Sequence, residues 1–474
     1  MSKDLRQFLQ VVREAGPEFY MEAKRSLKPE YEVCVLQEKL AAEGRFPVVY
    51  CPEIEGSELP LVTNVLGSYE SLGMAFDISP ERFKTVGYGG IFQEYRRRRD
   101  NLKSPKEVPA SEAPVREVVL QGKDADMALL PIIHHAEGNS GKYITTGMTI
   151  CKDPDTGIPN VGIYRGEVKG RDQLGCCFTA RMHGTYIAER YAELGKPMEV
   201  VTFIGHHPAV LMGALASGPL EMNELEVMGA LLGEPLEITP ALTVDLPVPA
   251  RAEIVIEGII DPDSSKMTTD GPFSEAFGYY AGKRPCRMTQ ITAITMRKDA
   301  IYEDCSLYPA QQEYTMMTLM VRESKLYDMV KGAIPKLKAV HYGPEGVVCR
   351  NFVYVSITKT SQDQVGLAGS TALGADINTK VAVVVDDDID VYNEKEVLWA
   401  ISTRVRGDLD ISIMPGMLTF DLNPCAHSDA GTRTGYADAQ ILIDATRPLD
   451  LPFPTKVTAP SELWDSMKLE DYLK

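Results

Sequence analysis

Apolar residues recur at helical spacing through the first 45 positions, where Leu5, Phe8, Leu9 and Val12 share one face, so residues 1–45 are expected to be helical. The period then shortens. Residues 47–54 and 60–68 are apolar runs bounded by Pro and Gly, and read as strands. Ser79 and Pro80 open a second helical stretch that ends in the charged run Glu94–Asp100. Its consecutive arginines suggest either a phosphate site or a solvated helix face, and the solvated face is the simpler reading. Residues 101–115, rich in Pro, Ser and Glu, interrupt the pattern as a linker.

Beyond it the texture is short strands and turns: 116–122, 143–153, 160–168, 175–182, 199–205, 237–249, 252–260 and 286–297. Gly184–Gly195 and Glu221–Gly233 read as helices among them. The helical period returns at 316–334 and 395–405, alternating with strands at 347–357, 380–390 and 441–446. Residues 461–474 read as a short amphipathic helix with a Ser cap, which either packs on a partner subunit or frays. The expected organisation is therefore multidomain, mixing α+β and α/β: an N-terminal α/β part at 1–115, a β-sheet or barrel domain at 116–315, an α/β part at 316–460 and a terminal helix at 461–474.

Composition narrows the function. With 49 basic and 67 acidic residues the formal charge is −18, which argues against nucleic acid or an anionic membrane as partner. It leaves room for a small anionic substrate held by a local arginine. Nine scattered cysteines, none in C-x-x-C spacing, suggest reduced thiols and a cytoplasmic protein. The first residues read as an amphipathic helix rather than a signal peptide, and no apolar run approaches the ~20 residues that span a bilayer.

The chemistry concentrates in Asp270-Gly-Pro-Phe-Ser-Glu275. Gly271 permits backbone angles closed to other residues and Pro272 fixes its own φ, so this is a shaped turn that can aim two carboxylates at one point. Such a pair suits proton transfer, because neighbours push carboxylate pKa values apart; a solvated connection is the bland alternative. Upstream, Asn160, Gly162 and Tyr164 share one strand face, with Arg165 at its end. His183 closes the next strand and Glu224 lies in a helix. Asn, His and Glu are competent ligands for Mn²⁺ or Mg²⁺, although each also reads as an ordinary cap, core or surface residue. The pairs His134-His135 and His206-His207 point to opposite strand faces and do not chelate one ion. The aspartates of 386–390 read as a cap for the following helix, and Cys176-Cys177 as core. The polar loop bearing His427, Arg433 and Thr434 is a candidate for substrate contact.

Together NVGIYR (160–165), RMHG (181–184), NELEVMGALLGE (223–234), EIVIEG (253–258) and DGPFSEAFGYY (270–280) resemble the UbiD family of decarboxylases, which use prenylated FMN. KVAVVVDDDIDVYN, VLWAISTR and ILIDATRP continue the resemblance downstream, so that it covers about residues 115–450. It implies a central split β-barrel that binds flavin, like that of flavin reductases, between N-terminal and C-terminal α/β domains. It implies reversible, non-oxidative decarboxylation of an aromatic or α,β-unsaturated acid, free or as a CoA thioester, by a homodimer or homohexamer.

Residue by residue, the resemblance makes Asn160, His183 and Glu224 the ligands of Mn²⁺ or Mg²⁺ at the cofactor phosphate, with K⁺ nearby around Ala214–Ser217. Gly162, Ile163, Arg165, Met182 and Ser217 join them in binding the cofactor. Arg165, Glu275 and Asp270 become the catalytic network, with Glu275 the acid. Two positions depart from the family: Asp270 stands where Glu is usual, and Met182 where some relatives carry Gln. A metal-dependent hydrolase using the same side chains, and a non-catalytic subunit of a carboxylase complex, are the competing readings.

Overall fold

The structure is a computed structural model that describes residues 3–178, 182–307, 312–343, 351–419, 422–426 and 437–472. The apolar face read near the N-terminus is real: Leu5, Phe8, Leu9 and Val12 are buried on the helix Leu5–Ala15, which the Asp4 side chain caps. The helix does not continue to residue 45. Gly16 turns the chain at φ 139°, and a strand, Tyr20–Glu22, precedes the second helix, Glu32–Ala42. Gly16-Pro17 supplies the break that apolar spacing alone did not register. Tyr20–Glu22 begins a four-stranded sheet that runs through Val48–Cys51 and Leu61–Thr63 to Tyr302–Asp304.

Two further N-terminal expectations are corrected. Of the arginines that end the helix Pro80–Arg99 only Arg97 is solvated. Arg98 is buried and donates to the Leu231 and Phe76 carbonyls, while Arg96 and Arg99 reach Asp328 on the helix Gln312–Ala333. They tie three segments together, which charge density could not reveal. Residues 101–115 are not a free linker either. Lys106–Glu107 pairs with Glu237–Pro240, and Val108, Ala113 and Val115 are buried.

The middle of the chain builds one antiparallel sheet of ten strands. Its path runs Tyr143–Ile144, Gly166–Gly170, Gln173–Cys176, Arg284–Met296, Ile254–Ile260, Met198–Ile204, Met148–Lys152 and Pro159–Ile163. The long strand Arg284–Met296 also pairs with Val118–Gln121 and Thr268–Asp270. Among the described residues the two ends of the path do not pair, so the sheet is open. Two helices anticipated from the sequence flank it: His183–Glu193 and Glu224–Leu232, the latter capped by Asn223 and ended by Gly233 at φ 87°.

The C-terminal sheet runs Leu337–Tyr342, Phe352–Ile357, Val381–Asp386, Ala437–Ala445, Ile411–Leu418, with the middle pairings parallel. Alternate residues enter different cores: Val353, Val355 and Val384 face one, Val383 and Val385 the other. The first face is covered by the helix Asp363–Ala375, which periodicity missed. Its sequence is rich in Gly and Ala because it packs close; a Cβ on Gly369 would run into Leu442. The edge strand Ile411–Leu418 was missed too, since its side chains are mostly exposed. The aspartates after Val385 cap nothing, because Asn393 caps the helix Glu394–Arg404. At the terminus the helix is only Ser461–Ser466, without the expected Ser cap. The loop containing His427, Arg433 and Thr434 lies outside the described residues.

Candidate active site

Asp270 ends the strand Thr268–Asp270, pinned opposite Arg284. Gly271 then turns the chain at φ 88°, where a Cβ would meet the Gly282 carbonyl at 2.9 Å, so glycine is required there. Phe273–Ser274 pairs with Tyr280–Ala281, and the Glu275 amide donates to the Tyr279 carbonyl at 3.0 Å. The turn is thus fixed on both sides of the two acids.

Arg165 comes from another part of the sheet, between the strands Pro159–Ile163 and Gly166–Gly170, and its carbonyl accepts from Cys177 at 3.2 Å. Its guanidinium lies between the two acids. Nη2 donates to Asp270 Oδ2 at 2.5 Å and Nε to Oδ1 at 3.4 Å, while Nη1 donates to Glu275 Oε1. Phe273 lies beneath it, 4.6 Å from ring centroid to guanidinium carbon. The shorter aspartate therefore still grips Arg165 with both oxygens. Asp270 is fully buried and Glu275 is 9% exposed. Burial pushes the Glu275 pKa up, and the pull of Arg165 does not cancel it. Burial works against the Arg165 charge, but Glu275 and Asp270 more than offset that and hold the guanidinium protonated.

Asn160, His183 and Glu224 sit on elements that meet at the strand Pro159–Ile163, against which both flanking helices pack. Asn160 Nδ2 donates to Glu224 Oε1 at 3.1 Å and the Val161 amide to Oε2 at 3.0 Å. His183 does not close a strand as expected but opens the helix His183–Glu193. The next amide, Gly184, donates to the Tyr164 hydroxyl, which ties the helix start to the strand. Among the described residues no three His, Cys, Asp or Glu side chains gather as a metal site; the anticipated trio has only two such members beside its asparagine.

The residues nonetheless fit a cation. Asn160 Oδ1 is buried with no hydrogen-bond partner. Glu224 is 1% exposed, and burial raises its pKa to about 7 despite the bonds it accepts from Val161 and Asn160. An unpaired amide oxygen beside a buried carboxylate is what an oxygen-seeking divalent ion relieves. Met182 precedes the helix and is half-buried. Gly162 admits no side chain, as a Cβ would meet the Tyr164 ring at 2.8 Å, and Ile163 is half-buried. Ser217 is exposed and accepts from Arg322 at 2.6 Å.

The paired histidines are structural. His207 accepts from the Ala209 amide at the start of the helix Pro208–Ala214, and burial lowers the His206 pKa to about 4. His135 bonds Asp304 at 3.0 Å, while His134 bonds the Asn139 carbonyl at 3.1 Å.

Two family profiles match this chain. Residues 106–310 match the 3-octaprenyl-4-hydroxybenzoate carboxy-lyase Rift-related domain, and residues 315–445 the C-terminal domain of the same carboxy-lyase. The phenolic acid decarboxylase of Sedimentibacter hydroxybenzoicus is 31% identical over 100% of this chain and 98% of its own length. The chain belongs to the UbiD family. The UbiD-class enzyme HmfF of Pelotomaculum thermopropionicum, solved with FMN, superposes with a TM-score of 0.88 at 31% identity, over 99% of this chain and 100% of that one. The closed form of the vanillic acid decarboxylase of Sedimentibacter hydroxybenzoicus gives 0.86 at 29% identity, over 100% and 99%. The anhydromevalonate phosphate decarboxylase of Methanothermobacter thermautotrophicus is 35% identical over 69% of this chain and 74% of its own. The multidomain α+β fold is that of UbiD-class enzymes, and the chain is a carboxy-lyase of that family.

Sequence reasoning found the two carboxylates and Arg165 but missed what surrounds them. Phe273 was read only as an apolar spacer. Tyr143 and Glu167 drew no attention, although Glu167 lies two residues beyond Arg165 and so falls on the same side of the chain.

Proposed function

We propose that this chain decarboxylates an aromatic or α,β-unsaturated carboxylic acid, reversibly and without net oxidation, using prenylated FMN. The observation that carries the reading is the buried guanidinium of Arg165 held between Asp270 and a Glu275 whose pKa burial raises. When bound, the modified flavin supplies the electron sink that an sp² carbon losing CO₂ otherwise lacks. Arg165 receives the substrate carboxylate through charge-assisted bonds. Glu275, released from that guanidinium, keeps its proton and gives it to the carbon after CO₂ departs. Asp270 keeps Arg165 in place throughout. Asn160, His183 and Glu224 would hold Mn²⁺ or Mg²⁺, which neutralises phosphate charge. Gly162, Ile163, Met182 and Ser217 would contribute to the cofactor's seat, with K⁺ as a further cation there.

The antiparallel path of the central sheet supports its being a split barrel. We keep 1–115, 116–315 and 316–460 as the working division and 461–474 as a contact in a homodimer or homohexamer. Among the described residues no helix is long and apolar enough to cross a membrane, and the described cysteines are free, which supports a cytoplasmic enzyme. The hydrolase reading leaves the Arg165–Glu275 pair without a task.

The test is a panel of vanillic, 3,4-dihydroxybenzoic and cinnamic acids, with one aromatic CoA thioester, assayed on protein produced alongside a flavin prenyltransferase. Loss of CO₂ from at least one, together with flavin absorbance, is expected. His183→Ala should lower bound metal and flavin together; full retention of both overturns the ligand assignment.

A further inference from the structure

A second layer of side chains holds the backbone of the catalytic turn. The Gly271 amide, between the two acids, donates to the Tyr143 hydroxyl at 3.1 Å and to Glu167 Oε2 at 3.2 Å. Tyr143 in turn donates to that same Glu167 oxygen at 3.0 Å and meets Ser140 Oγ at 2.7 Å. Two neighbours of Tyr143 grip the turn further on. Asn139 Oδ1 accepts from the Ser274 amide at 2.7 Å, and the Ser140 amide donates to the Pro272 carbonyl at 2.9 Å.

The arrangement is specific to the charges it serves. Tyr143 and Glu167 face each other across adjacent strands, at paired register positions. Glu167 follows Arg165 by two residues, so one short segment sends a guanidinium to the acids' side chains and a carboxylate to the amide between them. Glu167 is 3% exposed, and Lys169 at 2.7 Å balances its charge. The Tyr143 ring packs on Phe273 at 4.4 Å, and Phe273 lies under Arg165. Solvating a turn would need none of this; fixing the direction of two carboxylates would.

We propose that Tyr143 and Glu167 are positioning residues for decarboxylation: by holding the Gly271 amide they set where Asp270 and Glu275 meet Arg165. This rests on the reading of Glu275 as proton donor. Tyr143→Phe removes one oxygen and its three hydrogen bonds while keeping the ring on Phe273. In flavin-loaded enzyme, on the acid of the panel with the highest turnover, kcat per loaded site should fall about 10-fold with KM changed less than about 2-fold. Hydrogen–deuterium exchange in the peptide around 268–276 should quicken, whether or not substrate is present. Glu167→Gln keeps an acceptor oxygen and should retain kcat within about 3-fold, whereas Glu167→Leu should lose about 10-fold.

An unchanged kcat per loaded site in both Tyr143→Phe and Glu167→Leu overturns the proposal, even if thermal stability or flavin content falls, because that pattern marks a structural prop. A lower kcat with exchange around Gly271 unchanged overturns it as well. Glu275→Gln, assayed in parallel, separates the two levels. If it stays active the proton-donor reading fails, and if it is dead while the Tyr143 and Glu167 variants are normal only the positioning role fails.

Discussion

The catalytic turn and the C-terminal unit each set a largely buried arginine between two acids. At the turn, Asp270 and Glu275 share Arg165. In the C-terminal unit, Asp386 and Asp388 hold Arg404 at 2.9 and 2.8 Å, and Arg447 adds a second cation at 3.2 Å from Asp386. The second cluster is local and balanced: its acids lie two residues apart on one strand exit, and two guanidiniums face two carboxylates. Asp388 remains partly solvated, and its arginine partners, against the opposing effect of burial, bring its pKa down. The first cluster joins residues more than 100 positions apart: Asp270 and Glu275 share Arg165, and Arg284, opposite Asp270 in the sheet, adds a second positive charge. There burial wins and Glu275 is pushed towards its neutral form. The local, partly solvated cluster is a lock; the buried one, where desolvation outweighs the pull of Arg165 and Arg284, is ready to exchange a partner and keep a proton.

The largest effect that tests this contrast is on stability. Arg404→Met leaves Asp386 buried without its main partner and should cost about 3–5 kcal/mol in urea unfolding. Turnover per folded, flavin-loaded molecule should be unchanged. A stable but inactive variant would make the second cluster catalytic and dissolve the distinction.

Glu275→Gln comes next. It preserves shape but has no proton to give, so kcat should drop by about 10²-fold or more, roughly 2.7 kcal/mol in the barrier, at unchanged flavin content. Near-normal turnover in matched holoenzyme would place the two clusters in the same structural class.

The smallest effect is the opposite response to pH. Glu275 has a raised folded pKa, so its contribution to stability is full below the ordinary carboxylate value of 4.5 and is lost as pH rises through the folded value. Asp388 has a lowered one, so its contribution is present above 3.8 and lost as pH falls through the folded value. In stability profiles measured from acid to neutral pH, Glu275→Gln should flatten the less acidic side and Asp388→Asn the acid side. Identical changes in both variants would contradict the assigned directions.

Much of the site was legible in the residue order because its geometry is carried locally. Gly271 and Pro272 shape a turn, and the five-residue separation of Asp270 and Glu275 leaves both acids on it. The strands and most helices were legible for the same reason, since burial imposes period two or 3.6 on whatever faces a core. The failures share a cause as well. Arg96, Arg98 and Arg99 look solvated until Leu231 and Asp328 are brought to them from distant segments. The helix Asp363–Ala375 carries small residues because Leu442 lies against Gly369, a fact no window around 369 contains. The chain by itself determined which residues could carry charge, turn the backbone or fill a core. Only the tertiary structure decided which charges share a partner, that burial at Glu275 outweighs its arginine, and that Tyr143 and Glu167 reach the Gly271 amide. Desolvation and pairing depend on neighbours in space, and a one-dimensional pattern does not hold them.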